Sequence, residues 1–293
     1  MQKIVPHLWF AQDAEEIATF YTSVFQNSEV KWTTMLKDTP GGDTKVVAFR
    51  LEDLDFLSIS GDEENKLNPA ISLTVLCDSK EEADRLWNAL SENGDVLIPL
   101  DAYPFSPHYG WVSDRFGTSW QILFTEEPIS QKIVPTLLFT QEQKGQAEEA
   151  IDFYLSVFPE SSLFFLDHYG KNEEPNIEGT VKRAEYQLEG MRFAAMDSGL
   201  DHGFTFDLAF SFIIYCKDQE EIDFYWDRLS AVPEAEACGW LEDKFGVSWQ
   251  VTTPEMDDMI LTDDEAAKQR VIEAFLPMKK VMVQELQDVF EGK

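Results

Sequence analysis

The chain has 293 residues, 44% of them hydrophobic, and sets 55 acidic side chains against 23 basic ones for a net charge of -32 at pH 7. That length suits about two domains. The charge argues against nucleic acid and anionic membrane as partners, because both recruit basic patches; it leaves attraction for cationic ligands, or simply a solvated acidic surface.

Gln2-Lys3-Ile4-Val5-Pro6 opens a strand that runs to Phe10, and Gln131-Lys132-Ile133-Val134-Pro135 opens its twin, which runs to Phe139. Asp13 followed by Glu16 is a helix start of the capping-box kind, and Ile17, Phe20, Tyr21, Val24 and Phe25 then fall on one helical stripe. The second copy repeats the stripe as Ile151, Phe153, Tyr154, Val157 and Phe158, after extra residues around Lys144-Gly145. Strands follow near 30–36, 45–51 and 56–60, with a polar hairpin turn at Pro40-Gly41-Gly42, and near 163–168, 180–188 and 192–197 in the second copy. Each of these blocks is a βαβββ unit.

The same order of elements begins again inside each copy. A strand at 71–77 leads to a Ser79/Glu82 capping box and a stripe of Ala83, Leu86, Trp87 and Leu90. A strand at 211–216 leads to Asp218 and Glu221, then Ile222, Tyr225, Trp226 and Leu229. Cys77 and Cys216 occupy equivalent strand positions among apolar neighbours and read as core residues, and with Cys238 they form neither a disulfide framework nor a metal pair. The copies differ at one rim, since Trp87 to Gly110 spans 23 positions and Trp226 to Gly239 only 13. Each copy closes on the same motif, GWVSDRFGTSWQI (110–122) and GWLEDKFGVSWQV (239–251), identical at 8 of 13 positions. Asp-x-Phe-Gly is turn chemistry and Trp-Gln begins a strand. The chain is a duplication, with units at 1–128 and 129–256. Residues 257–293 form a helical extension of two helices, the second starting at Pro277.

The strand-helix-Phe-Tyr opening, the Asp-x-Phe-Gly-x-Ser-Trp-Gln close and the doubled unit resemble the vicinal oxygen chelate superfamily. Within it they resemble the PhnB-like branch of glyoxalase/bleomycin-resistance-like domains, often labelled demethylubiquinone methyltransferase-like. The resemblance covers nearly all of residues 2–255 and implies an α+β fold of two tandem domains. In each, paired βαβββ units would build a curved eight-stranded sheet with helices outside and a cup inside.

In metal-dependent members of that superfamily a His or Gln stands on the first strand, at the position taken here by Pro6 and Pro135. The matching position on the strand before the second helix is Ser72 or Ser211, and the last-strand ligand is Gln121 or Gln250. The fourth falls near Ser58 or Ser60, and near Met196 or Asp197. Such donors suit no divalent transition ion, so neither a metal nor a cofactor is expected. No glycine-rich loop after a strand offers to cradle an adenosyl cofactor.

By strand alternation the cup is expected to be lined by Leu8, Phe10, Ser72, Thr74 and Gln121, and by Leu137, Phe139, Ser211, Ile213, Tyr215, Gln250 and Asp197, with Trp111 and Trp240 flanking it for ligand stacking. Trp120 and Trp249 alternate the other way and belong under the helices. His7 is expected on the helix side. His108, on the rim beside Tyr109, is the candidate acid/base, against the plain alternative of a surface histidine. Cys238, at the position of Tyr109, reads as a partly exposed thiol. His168 and His202 have no partner that spacing can place.

These features give metal-free binding of a small molecule in one or both cups. The alternative is an enzyme of the superfamily with an unspecified reaction, and the same list also describes a cup filled by its own side chains. Neither a signal-peptide pattern nor a run of 18 apolar residues occurs, so a soluble cytoplasmic protein is expected, as a monomeric pseudo-dimer or a homodimer.

Overall fold

The computed structural model describes residues 2–39, 42–62 and 64–293, so Pro40 and Gly41 of the expected hairpin turn lie outside the described residues. The first copy runs β1 (Ile4–Phe10), α1 (Ala14–Val24), β2 (Glu29–Thr39), β3 (Gly42–Leu51) and β4 (Leu54–Ser60). It continues with β5 (Ile71–Cys77), α2 (Lys80–Leu90), β6 (Asp95–Tyr103), β7 (Ser106–Ser113) and β8 (Ser119–Phe124). The second copy has β9 (Ile133–Phe139), α3 (Ala147–Val157), β10 (Ser161–His168), β11 (Val181–Leu188) and β12 (Met191–Asp197). Then come β13 (Phe210–Tyr215), α4 (Gln219–Leu229), β14 (Trp240–Glu242) and β15 (Ser248–Thr252), followed by α5 (Pro254–Ile260), α6 (Glu265–Phe275) and α7 (Val283–Phe290).

The helix starts follow from side chains that satisfy free backbone N–H groups. Asp13 accepts from the Glu15 N–H, Ser79 from that of Glu82 and Asp218 from that of Glu221. α3 has no such cap of its own. Asp197 supplies one from β12, its Oδ1 accepting from the N–H groups of Gly145 (2.7 Å) and Ala147 (3.3 Å) and its Oδ2 from that of Val181 (2.9 Å).

Two sheets result, and neither belongs to one copy. Sheet A has the order β14-β15-β13-β1-β4-β3-β2, and sheet B the order β10-β11-β12-β9-β5-β8-β7-β6. The βαβββ units do pair, but across the copies rather than within each one. β1 runs antiparallel to β13 of the other copy and β9 antiparallel to β5. Sheet A also has seven strands rather than eight, because the short 226–239 rim of the second copy makes no counterpart of β6.

The repeated motif ties the two units of each copy together on the helix-bearing side of the sheets. Asp114 is buried in the turn between β7 and β8. Its Oδ2 accepts from the Tyr21 hydroxyl of α1 (2.7 Å) and the Trp120 indole (2.8 Å), while Oδ1 accepts from the N–H groups of Phe116 and Thr118. Asp243 does the same with Tyr154 of α3 (2.8 Å), Trp249 (2.9 Å), Phe245 and Val247. Each bond from tyrosine to aspartate crosses from a helix on one sheet to a turn of the other. Phe193 of sheet B also meets Phe212 of sheet A with ring centroids 5.3 Å apart. The helix-bearing faces thus share one continuous hydrophobic core.

The tail carries three helices, not the two expected. Thr253 caps α5 and Pro254 stands in its first turn. Pro277 does not start the last helix. The stretch after α6 turns out of the helix, its Met278 and Lys279 carbonyls accepting from the N–H groups of Cys238 (2.6 Å) and Gly239 (2.7 Å), and α7 begins only at Val283.

Candidate functional site: two hollows of unequal content

Side chains alternate across a strand, so the core residues reveal which face is which. Ile4, Leu8, Phe10, Leu137 and Phe139 lie in the shared core on the helix-bearing side. Leu8, Phe10, Leu137 and Phe139 are therefore not cup residues, and neither is Asp197, which caps α3. The expected lining on β1 and β9 was out by one position. His7 and Thr136 face the hollow instead, because the core claims the even-numbered set of β1 and the odd-numbered set of β9. On β5, β8, β13 and β15 the expected residues Ser72, Thr74, Gln121, Ser211, Ile213, Tyr215 and Gln250 do lie on the hollow face, opposite the core positions Leu73, Trp120, Phe212 and Trp249.

In sheet B, Gln121 donates to the Ser72 hydroxyl (2.8 Å) and accepts from the Tyr109 hydroxyl (2.8 Å), and Thr74 and Thr136 share a hydrogen bond of 2.7 Å. All five residues are buried. Burial pushes the Tyr109 phenol above its ordinary pKa, while the positive charge of Arg183 on β11 pulls it down. β7 and β11 stand five strands apart in the order of sheet B, yet the charge of Arg183 acts on Tyr109. Trp111 lies beside Gln121 across the β7–β8 pair and donates to Ser119 (2.7 Å). Opposite them, Glu185 accepts from Arg183 (2.9 Å) and Arg192 (3.0 Å), with Phe164 against the Arg192 guanidinium.

In sheet A, Gln250 donates to Ser211 (3.0 Å), whose hydroxyl lies 3.3 Å from His7 Nδ1, and the His7 ring meets Trp240 edge-on at 5.3 Å. Complete burial lowers the His7 pKa to about 3, so the imidazole stays neutral. A helix fills the rest. The Tyr215 hydroxyl donates to Asp257 of α5 (2.7 Å), and the Thr34 hydroxyl on β2 donates to the Ile260 carbonyl (3.2 Å). β13 and β2 are four strands apart, about 19 Å along a flat sheet, whereas three helical residues rise only about 4.5 Å. One short helix reaches both strands only because sheet A curls around it. Met256, Met259 and Ile260 are buried, but they belong to the large core cluster and not to the small one of Val5, Ile213 and Tyr215 on this face.

His108 does not join either hollow. It alternates with Tyr109 onto the helix-bearing side and pairs with Asp84 of α2 at 2.8 Å, as His168 pairs with Glu148 of α3 at 2.9 Å. Cys238 lies under the tail, its sulfur 3.0 Å from the Leu276 carbonyl, and burial raises its pKa. A surface cleft of about 450 Å³ lies elsewhere, lined by Gln141, Glu142, Gly203, Phe204 and Thr205.

The pairing registers correct the ligand positions as well. His7 stands opposite Ser211 and beside Leu57, and Thr136 opposite Ser72 and beside Ala194. With Gln250 and Gln121 these are the two four-residue clusters, in place of Pro6, Pro135, Ser58, Ser60, Met196 and Asp197. One neutral imidazole with a hydroxyl, an amide and an alkyl group, or two hydroxyls with an amide and a methyl, does not fit a divalent transition ion. Among the described residues no three His, Cys, Asp or Glu side chains cluster as a metal site.

A family model of 3-demethylubiquinone-9 3-methyltransferases matches residues 2–123 and again 131–252. The chain belongs to that PhnB-like family. Among solved structures, a PhnB protein of Bacillus cereus described as a 3-demethylubiquinone-9 3-methyltransferase is 36% identical, the match covering 42% of this chain and 100% of that one at a TM-score of 0.40. That relative has the length of one copy. A Staphylococcus aureus protein is 32% identical over 42% of this chain and 95% of its own, at a TM-score of 0.18. Glyoxalase I of Zea mays is 11% identical with a TM-score of 0.54, over 85% of this chain and 92% of its own, a likeness of fold alone. No curated protein matches. The fold is that of the vicinal oxygen chelate superfamily.

Methyl transfer, which the family description implies, would need an adenosyl donor. The residues of this PhnB-like chain do not fit one in either hollow. The buried hydroxyls and amides are paired with each other, and the glycines of the repeated turns, Gly117 and Gly246, serve the Asp114 and Asp243 networks instead. No step through such a donor follows from these groups. Among the described residues, no helix is long and apolar enough to cross a membrane.

Proposed function

We propose that this PhnB-like protein binds a small molecule, without a resident metal, in the hollow of sheet B alone. The observation that carries this reading is the position of α5, which is hydrogen-bonded to Tyr215 and Thr34 on the hollow face of sheet A and so lies across that hollow. Among the described residues no helix is hydrogen-bonded across the hollow of sheet B. It offers part of what small-molecule sites use, fixed polar groups on the inner face of a sheet. Ser72, Thr74, Gln121 and Tyr109 are those groups, with Trp111 placed for stacking. Of the further cup residues expected from sequence, Ser211, Tyr215, Trp240 and Gln250 belong to the occupied hollow. The hollow of sheet B is closed by its own side chains, so a ligand enters by displacing them. Proposed on these grounds, the fused chain stands in for a pair of single-copy subunits and works as a monomer in the cytoplasm.

Ligand-observed NMR with a fragment library, run on the full chain and on Gln121→Ala and Gln250→Ala, tests this. Hits should be lost in Gln121→Ala and kept in Gln250→Ala. Hits that survive Gln121→Ala would place binding elsewhere. A stoichiometric divalent ion in the native mass spectrum would return metal-dependent chemistry to consideration.

A further inference from the structure

Each hollow carries a carboxylate between two cations: Asp55 with Arg50 and Lys31 in sheet A (2.6 Å each), and Glu185 with Arg183 and Arg192 in sheet B (2.9 and 3.0 Å). β4 and β12 are both seven residues long, so Leu57 answers to Ala194, and Asp55 to Arg192. Their partners on the next strands make Ala48 answer to Glu185, and Val46 to Arg183. Sheet A presents Val46 and Ala48 where sheet B presents an arginine and a glutamate, and its own cations, Arg50 and Lys31, are both engaged by Asp55 at the position of Arg192; sheet B differs in setting two guanidiniums around one carboxylate. In a chain of net charge -32, two guanidiniums facing one hollow are notable for where they stand.

Glu185 takes both arginines but leaves donors free. Its Oε1 accepts from Nε and Nη2 of Arg183 (3.1 and 2.9 Å) and its Oε2 from Nη2 of Arg192 (3.0 Å). Among the described residues Nη1 of Arg183 makes no hydrogen bond, whereas Nη1 of Arg192 is held by Ser130 (2.8 Å). The charge of Arg183 is felt by the Tyr109 phenol, which donates to Gln121. Asp167 stands opposite Arg183 on β10, at the exposed rim. Phe164 and Phe165, both exposed, stand at the bulge opposite Glu185, so an apolar wall adjoins the guanidiniums.

The occupied hollow points the same way from an independent direction. α5 meets the hollow face of sheet A with a carboxylate, Asp257 on the Tyr215 hydroxyl. Its far end rests at Thr34, the partner of Val46, which is the position that Arg183 takes in sheet B. The segment of the chain that lies over sheet A presents a carboxylate, and the equivalent face of the other sheet carries two guanidiniums with exposed phenylalanines beside them.

Resting on the reading that sheet B is the binding hollow, we propose that its ligand is a small carboxylate with an aromatic or apolar body, held by Arg183 and Arg192 against Phe164, Phe165 and Trp111. A planar guanidinium matches a carboxylate bidentately, a geometry that bulk attraction or repulsion by the rest of the surface does not supply.

The test titrates the full chain at physiological salt with benzoate, its neutral isostere benzamide, and benzylammonium, each followed by saturation-transfer NMR. Benzoate should bind at least tenfold more tightly than benzamide, and benzylammonium more weakly than either. Arg183→Gln should weaken benzoate at least tenfold and leave benzamide unchanged; Glu185→Gln, which frees both guanidiniums, should tighten benzoate. The second variant keeps the test decisive if the first fails to fold. Equal affinity for benzoate and benzamide, both lost in Gln121→Ala, would overturn the carboxylate assignment while leaving the hollow as the site. Benzoate that shows no binding at about 10 mM would overturn it as well.

Discussion

The hollow of sheet A and the hollow of sheet B are built from the same pair of units, and they hold different things. In sheet A, Ser211, Gln250 and His7 form a buried polar cluster over which α5 lies, anchored by Tyr215 and Thr34. In sheet B the matching cluster of Ser72, Gln121 and Thr136 is extended by Tyr109 and faced by Arg183, Glu185 and Arg192. The extra β6–β7 hairpin length is on sheet B and the tail is on sheet A. A duplicated fold need not keep two sites: one appended segment and one longer rim suffice to separate them.

Both hollows depend on the sheets being locked together, and the largest expected effect comes from breaking that lock. Asp243→Ala strands the Tyr154 hydroxyl, the Trp249 indole N–H and two backbone N–H groups. At about 1–3 kcal/mol for each stranded donor, the loss should be about 4 kcal/mol or more in urea unfolding. A loss below about 1 kcal/mol would mean the network matters little to the assembly of either sheet. The next effect should fall on sheet A alone. Ile260→Ala removes a buried side chain of α5 at a cost of about 2–5 kcal/mol, and it should raise hydrogen exchange in residues 254–276 with little change in sheet B. Faster exchange in both sheets would show that α5 supports more than its own hollow.

Smaller still is the anchor itself. Tyr215→Phe leaves Asp257 without its donor and should cost about 1–3 kcal/mol in α5 docking, read as faster local exchange. The same contact carries a pH dependence. Burial raises Asp257 from 3.8 to about 6, with the Tyr215 hydrogen bond pulling it down. A carboxyl raised in the docked state binds its proton more tightly there than when free. Its contribution to docking is therefore whole below pH 3.8 and is lost as pH rises through about 6. Corrected for intrinsic exchange rates, α5 should open less at pH 5 than at pH 7, and Asp257→Asn should flatten that difference. Asp243 is also raised to about 6 by burial and adds a global dependence of the same sign, which exchange confined to α5 separates.

Duplication, element order, helix caps and the family were legible from the chain because they rest on local signals. Asp13, Ser79 and Asp218 cap the helices that their spacing announces, and the repeated Asp-x-Phe-Gly-x-Ser-Trp-Gln motif needs only two copies to be seen. Two hollow-facing positions were read one residue out, because Pro6 and Pro135 offered an apparent landmark and the sequence does not say which face of β1 or β9 the core will claim. His7 thus lies inside and Asp197 serves as a remote cap for α3.

What the sequence determined by itself was the βαβββ unit, its repetition and the polar Ser and Gln residues that a curved sheet turns inward, since alternation and capping act within a few residues. The tertiary structure alone decided which unit pairs with which, that α5 enters one hollow, and that Arg183 approaches Tyr109 from five strands away. Those outcomes depend on contacts between residues far apart in the chain, whose free energy is set by how the sheets curl and close rather than by any local preference.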